Sequence, residues 1–506
     1  MSLFNTFFSW MMSDRLGQID ASTKYPFDTQ NRVFQELITT AVDTEWGKTY
    51  HYSDIVSQEK YAKGVPLQDY NTLKGYIKKM MDGEANVLWP GLIQWYAKSS
   101  GTTDDRCKFI PVSRDALQNC HFKAGKDLYA LFYKEFPEAN VVDGKTLVLG
   151  GSHQLHTVSS ALNIRYGDLS AVLMQNSPFW AEAKRVPMLS VALMDNWEEK
   201  ITLMAESTIN QSITNILGVP TWTVILIKKL FEISGKNNLI DIWPNLQLYI
   251  HGGVSFEPYR GLFKNLIDSN QMHYQETYNA SEGFFALQDD FARDDMMLLL
   301  DYGIYYEFIL AEQFGKENAE VIPLEGVETG KNYAIIITTN SGLWRYALGD
   351  TVRFTETNPY RIKVSGRTRF FINAFGEELI VENAEKALAV TTSETKSHIN
   401  DYTAAPIYLS ESGKGAHEWF IEFDNEPSDR NHFNKLFDDQ LRLLNSDYDA
   451  KRLKDMALRE PVIHYLPKGT FYEWMKYKGK LGGQNKVPRL SNDRIFADDL
   501  LKFINK

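Results

Sequence analysis

Tyr96-Ala97-Lys98-Ser99-Ser100-Gly101-Thr102-Thr103-Asp104-Asp105-Arg106-Cys107-Lys108-Phe109-Ile110-Pro111 sets two serines, a glycine and two threonines in succession, a loop dense in hydroxyls and backbone N–H groups. Gly101 lets the chain turn sharply and approach a ligand closely. Such a loop can wrap phosphate oxygens without a positive side chain, and Lys98 and Lys108 flank it with charge. It is not a Walker A loop, because no Gly-Lys-Ser/Thr follows at the required spacing. Alone, the same residues also make a solvated turn. The stretches at 277–283, 345–350, 364–378 and 484–489 give it a chemical setting.

A chain of 506 residues exceeds one ordinary core, so two or more domains are expected. Hydrophobic content of 43% with 24% charged residues is that of a globular protein rather than a disordered one. The formal charge of −11, with no basic block to offset it, argues against nucleic acid as a partner. The two cysteines, Cys107 and Cys120, cannot build a metal cluster or a disulfide framework and read as reduced thiols in a cytoplasmic protein. The apolar run Leu3–Met12 lacks a basic leader and is ended by Asp14-Arg15, so it reads as a helix packed on the body, with no stable membrane insertion.

Along the chain, helical periods occur at 28–45, 72–82 and 113–137, and 197–232 reads as a long helical region broken by Gly218-Val219-Pro220. Thr146–Gly151 reads as a buried strand ending in a glycine turn, and Leu246–Val254 and Met272–Tyr278 read as strands, each running into a small-residue turn, as strand ends lining a cleft would. His153 and His156, three apart, are placed on one helix face, but lack carboxylate or thiol companions for a metal. After about residue 379 strands and helices alternate in the manner of a small α+β domain. The expected organisation is therefore α/β: a large N-terminal domain (1–372) with sheets flanked by helices, a hinge at 373–378 around Gly376, and a mobile C-terminal α+β lid (379–506).

Taken together, the motifs resemble those of the GH3 family of acyl-acid amido synthetases, which belongs to the acyl-adenylate-forming enzymes. Asn86–Pro90 with Ser99–Thr103 and Lys108–Pro111 is similar to the family's first motif, and Thr277–Glu282 to its second. Tyr346–Asp350 is similar to its third, Val364–Thr368 to its hinge region and Gln484–Arg489 to its C-terminal lysine segment. The order is kept from about Phe27 to Arg494. Two departures stand out: Asp104-Asp105 where adenylate formers usually carry a further glycine, and Arg345 preceding Tyr346 where the third motif often begins Tyr-Arg.

The resemblance implies an ATP- and Mg²⁺-dependent ligase that converts a carboxylic acid to an acyl-adenylate and transfers the acyl group to an amino acid. It places Ser99, Ser100, Gly101, Thr102 and Thr103 on the phosphates, and Thr277 and Ser281 in the same nucleotide site. Glu282 is suited to hold Mg²⁺, a hard cation that prefers oxygen. Tyr278 offers a flat face and Gly252-Gly253 a close backbone to adenine. Asp350 can accept both ribose hydroxyls, Arg367 supports the ribose or phosphate end, and Lys486 is the cation at the α-phosphate. The acyl pocket is expected within 115–230. Transfer to a thiol such as coenzyme A, and a nucleotide-binding protein without catalysis, are the competing readings.

Overall fold

The computed structural model of the chain describes residues 3–100, 107–150, 155–194, 196–254, 256, 259–368, 371–409, 414–478 and 489–505; the side chains of 3–13, 100, 107, 367 and 382 lie outside that description. Its centre is a large mixed sheet with two halves. In one, Arg185–Val186, Lys145–Val148, Ile213–Leu217, Leu248–Gly252 and His273–Ala280 lie side by side, all parallel. In the other, Gly283–Leu287, Met296–Leu298, Tyr360–Arg367, Tyr346–Thr357, Asn332–Thr339 and Ile304–Leu310 continue antiparallel. The sheet changes from parallel to antiparallel at the Ser281-Glu282 turn, beyond the carboxyl ends of the parallel strands. That is where open α/β sheets hold their ligands.

Ile213–Leu217 and Leu248–Gly252, in the middle of the parallel half, are buried along nearly their whole length, as strands covered on both faces are. Ile213–Leu217 shows why the 197–232 reading needs correction. Between the helices Trp197–Thr208 and Pro220–Ser234 the chain inserts a buried parallel strand. An apolar run of that length carries no period that separates strand from helix. His156 likewise lies on a strand, His156–Ser159, where its ring stacks on Tyr166 at 4.9 Å, and not on a helix face. His153 lies outside the described residues.

A second, smaller sheet is built from the stretch quoted first: read as a loop, its described parts, 96–100 and 107–111, are strand, because their apolar and polar residues pair across two edges. Trp95–Ser100 runs antiparallel to Cys107–Val112 and parallel to Ile164–Gly167, with Ser99 opposite Lys108. Two N-terminal helices are pinned to the body that carries the large sheet. Gln30, on the helix Pro26–Ala41, donates to the carbonyls of Leu300 (2.8 Å) and Ile304 (3.0 Å) and accepts the Tyr306 N–H at 2.9 Å. The N-terminal helix Leu3–Lys24 is anchored by a buried bidentate pair, Arg15 to Asp127 at 2.6 and 2.7 Å, and Tyr302 donates to the same carboxylate at 2.6 Å.

Beyond residue 380 the helix Val381–Thr395 leads into a separate sheet, His398–Ile407, Ala416–Asn425 and Val462–Leu466, covered by Arg430–Leu444, Thr470–Tyr477 and Ile495–Ile504. The short strands Phe371–Ile372 and Leu379–Ile380 pair with each other and bracket residues 373–378. Tyr259 donates to the Ala374 carbonyl at 2.6 Å, tying this joint to the large body. Glu377 bonds the His417 ring at 2.7 Å, and Asn445 donates to the Glu377 carbonyl at 2.9 Å, tying it to the small one. Gly376 sits at φ +87, a left-handed backbone that glycine adopts without strain.

Candidate active site

The second and third motifs, distant in sequence, meet through one contact: the Tyr278 hydroxyl donates to Asp350 Oδ2 at 2.6 Å. Both side chains are buried. Tyr278 lies on the last parallel strand just before the Ser281-Glu282 turn, and Asp350 on the strand Tyr346–Thr357, in register with Arg367. The Tyr278 ring tilts against Phe285 at 5.0 Å, so both its orientation and its hydroxyl are fixed.

Glu282 caps this arrangement. It is half-buried, and loss of water around it pushes its carboxyl up to about 7, against the pull of Lys108 and with the push of Asp350 and Glu378. Lys108 comes from the strand after the hydroxyl loop, and Glu378 from the joint. Burial raises the buried Tyr346 phenol further, and it too senses Glu282 and Glu378. Four segments far apart in the chain therefore put charge into one region. Glu378 was not singled out from the sequence, although an acidic pair directly after a hinge glycine is a readable sign. Its backbone is held at φ +39, a conformation that tends to be kept where a site needs it.

The glycine pair has a more specific role than a smooth surface. A Cβ on Gly252 would lie 2.5 Å from Thr277 Oγ1, so the glycine allows the two strand ends to close on each other. Thr277 completes the join by donating to the His251 carbonyl at 3.0 Å. Gly253 is exposed, at φ +81, and its carbonyl accepts from Asn373 at 3.2 Å, a direct link from this strand to the joint. Ser281 is half-buried in the turn, and Ser99 half-buried opposite Lys108. Ser100 is placed only by its backbone at the strand end, and Arg367 only by its register with Asp350. Gly101, Thr102, Thr103, Asp104, Asp105 and Lys486 lie outside the described residues.

Asn86–Pro90 braces the helical start at Glu45 and the segment before Arg345. The carbonyls of Asn86 and Val87 accept the N–H groups of Glu45 (2.8 Å) and Trp46 (3.0 Å), and the Leu88 carbonyl accepts the Trp344 indole N–H at 3.1 Å. Arg345 is likewise a brace and not a ligand: it pairs with Glu307 at 2.9 Å on both arms of its fork and reaches the Ala62 and Val65 carbonyls at 2.7 Å.

Beside the turn lies a cavity of about 330 Å³ whose wall is mainly apolar, with Phe122, Leu169, Leu173, Met174 and Trp180 among its residues. Its lining falls between His121 and Leu217 except for Asn279, the residue after Tyr278, which joins it to the Tyr278–Asp350 region. A second cavity, about 470 Å³, is polar, with Arg260, Glu276, Arg293 and Asp294 around it. Among the described residues no three His, Cys, Asp or Glu side chains group to hold a metal, and no helix is long and apolar enough to cross a membrane.

Residues 15–272 match the N-terminal domain of the GH3 family, 297–367 its central domain and 382–495 its C-terminal domain. An indole-3-acetic acid-amido synthetase of Arabidopsis thaliana is 22% identical over 93% of this chain and 90% of its own length. A jasmonoyl–L-amino acid synthetase of Oryza sativa subsp. japonica is 23% identical over 95% and 94%. Among solved structures, an acyl acid amido synthetase in complex with 2,4-DB superposes with a TM-score of 0.63 at 16% identity, covering 97% of this chain and 96% of that one. A 2-hydroxyisobutyryl-CoA ligase in its thioesterification state gives 0.52 at 12%, covering 98% and 92%.

Proposed function

Since the chain belongs to the GH3 family, we propose that it is an ATP-dependent acid–amino acid ligase working through an acyl-adenylate. The observation that supports this best is the Tyr278–Asp350 hydrogen bond at 2.6 Å, which sets a ribose-binding carboxylate beside an aromatic face at the carboxyl ends of the parallel strands. The apolar cavity reaches the same place through Asn279. A nucleotide and an apolar acid thus meet at one turn.

The chemistry follows from the leaving group. A carboxylate oxygen attacks the α-phosphorus of ATP and pyrophosphate departs; the amine then attacks the acyl carbon and AMP departs. In this reading Ser99, Ser100, Gly101, Thr102 and Thr103 bind the phosphates, Gly252, Gly253, Thr277, Tyr278 and Ser281 frame the adenosine, and Asp350 and Arg367 take the ribose side. Glu282 fits a nucleotide-borne Mg²⁺: it is a half-buried carboxylate with the carboxylates of Asp350 and Glu378 in the same region, and Mg²⁺ is usually held by one or two carboxylates with phosphates and water. When bound, that ion would neutralise phosphate charge. The 1–372 body supplies these groups, and the 379–506 unit turns about 373–378 to bring Lys486 to the α-phosphate.

Pyrophosphate release over a panel of carboxylic acids, followed by amino acids with the best acid, tests the reading. Release that needs acid, with an amide product, is expected. No release with any acid, or a thioester formed from coenzyme A with no amide from any amino acid, would overturn it.

Asp350→Ala removes both a charged acceptor for ribose and the partner of Tyr278. A lost charged hydrogen bond is worth about 1.5–3 kcal/mol, so the KM for ATP should rise roughly tenfold or more. Tyr278→Phe should show a smaller part of that rise. Steady-state ATP titrations of both variants decide, and an unchanged KM in Asp350→Ala would remove this carboxylate from the site.

A further inference from the structure

The cavity contains a polar group that none of the steps above uses. One of its walls is a stripe of residues four apart on a single helical run, His121, Gly125 and Tyr129. The two ends of that stripe differ. Cys120, next to His121, accepts the Phe284 N–H at 3.2 Å, and Phe284 pairs across the hairpin with Asn279 at the cavity wall. Tyr129, at the other end, donates to Asn215 at 3.0 Å, in the middle of the strand Ile213–Leu217 and away from its carboxyl end. An acid lying in the cavity with its carboxyl toward the turn therefore has that carboxyl at the His121 end and its tail toward Tyr129.

His121 is buried, and its Nδ1 is enclosed with no hydrogen-bond partner. Burial pulls its pKa down to about 4, so the ring is neutral, with one N–H and one bare nitrogen. An enclosed N–H without an acceptor is rarer and less favourable than an enclosed lone pair, which assigns the proton to Nε2. The segment that carries it, Leu117–His121, is a π-helical turn, a distortion frequent at functional sites. Gly125 is a second, independent sign. It sits inside the helix Phe122–Glu135, yet a Cβ there would meet nothing within 4 Å. No neighbour forbids a side chain at this poor helix-forming residue, and its effect is to leave the cavity wide.

We propose that His121 donates a hydrogen bond from Nε2–H to the acyl oxygen of the bound acid, and so stabilises the oxyanion formed when the amine attacks the acyl-adenylate. This rests on the ligase reading above. In that step the amine nitrogen bonds to the acyl carbon and the carbonyl π pair moves onto the oxygen held by His121. The pair returns as the carbon–oxygen bond to phosphate breaks; AMP leaves with those electrons, and the amine proton goes to solvent. His121 keeps its proton throughout.

The test uses the full chain with an acid that the wild type adenylates, measuring pyrophosphate release and, separately, amide formation from preformed acyl-adenylate. His121→Phe should slow amide formation about 10²–10³-fold, the usual loss for one oxyanion donor, with a much smaller loss in pyrophosphate release. His121→Gln, which restores an N–H, should recover at least about tenfold of the amide step. If His121→Phe does not fold, His121→Ala with added imidazole replaces it, and rescue of the amide step is expected. Amide formation within about threefold of wild type in the donor-free variant overturns the proposal; so does equal loss in both half-reactions without rescue, which would make His121 structural. Gly125→Leu should fill the cavity and raise the KM for the acid while sparing that for ATP; an unchanged KM for the acid means the acid binds elsewhere and the proposal falls. A wild type that adenylates no acid overturns the ligase reading itself, and is distinguishable from all of these.

Discussion

Arg345→Met lowers folding stability by about 3–5 kcal/mol, read as a fall in urea midpoint and Tm, because it leaves a carboxylate buried without its cation. Arg345 and Glu307 are each about 4% exposed and face each other as a bidentate pair at 2.9 Å. Burial pushes the Glu307 carboxyl up even with the guanidinium beside it. The same arginine holds the Ala62 and Val65 carbonyls, so the substitution also strips partners from a buried backbone. Glu307→Gln in the Arg345→Met background removes the stranded charge and should recover part of the loss, since coupled neighbours do not add. A change below about 1 kcal/mol in the single variant would show that the pair is not an anchor. The consequence reaches the site: Gln68 donates its N–H to the Arg345 carbonyl at 2.9 Å and accepts that of Ala347 at 2.8 Å, and this strand carries Asp350 three residues on.

Arg345 also marks where sequence reading runs out. As a departure from the Tyr-Arg pattern it drew attention, but its role depends on Glu307 and on the 62–65 segment, partners that no local pattern names. The elements with strong local signals were legible: the helix Tyr70–Met81, read as a helical period at 72–82, the strand Leu248–Gly252 ending in glycines, and the strand running into the Ser281-Glu282 turn. Ile213–Leu217 was not, because a short apolar run looks alike in a strand and a helix until its neighbours Lys145–Val148 and Leu248–Gly252 are known. Gly252 was readable as a place of close approach, but the atom that approaches it belongs to Thr277. Of the site, the residue types were visible and their meeting was not. The Tyr278–Asp350 bond spans 72 residues, and Glu378 joins Glu282 only because the chain returns from the joint. The stripe through His121 and Gly125 was read only as part of the helical period at 113–137, inside the 115–230 stretch expected to build the acyl pocket, since an enclosed cavity leaves no trace in periodicity.

Lys486→Ala is expected to slow adenylate formation about 10²–10³-fold, the usual loss of one positioned charge stabiliser, while amide formation from preformed acyl-adenylate stays near normal. Charge accumulates on the phosphoryl oxygens only while pyrophosphate is leaving; in the second step it accumulates on the acyl oxygen. A cation delivered by the 379–506 unit therefore serves the first step and is dispensable in the second, provided that unit turns about the joint. Such a turn must exchange several contacts of the small unit: the Asn373 N–H donates to Asn492 at 2.6 Å, Lys454 pairs with Glu198, and the Lys451 ammonium lies 5.0 Å from the Trp222 ring centroid. The hydrogen bond and the cation–π contact are worth about 1–2 kcal/mol each and the exposed ion pair less. By contrast, Glu377 with His417 and Tyr259 with Ala374 bind the joint into either body, so the pivot is confined between them. Stopped-flow pyrophosphate release and single-turnover amide formation on Lys486→Ala and His121→Phe should then separate the half-reactions in opposite directions, the lysine variant failing in the first and the histidine variant in the second. Equal slowing of both steps in Lys486→Ala would make the lysine structural. No slowing of either would leave the α-phosphate without this cation and take the domain turn with it.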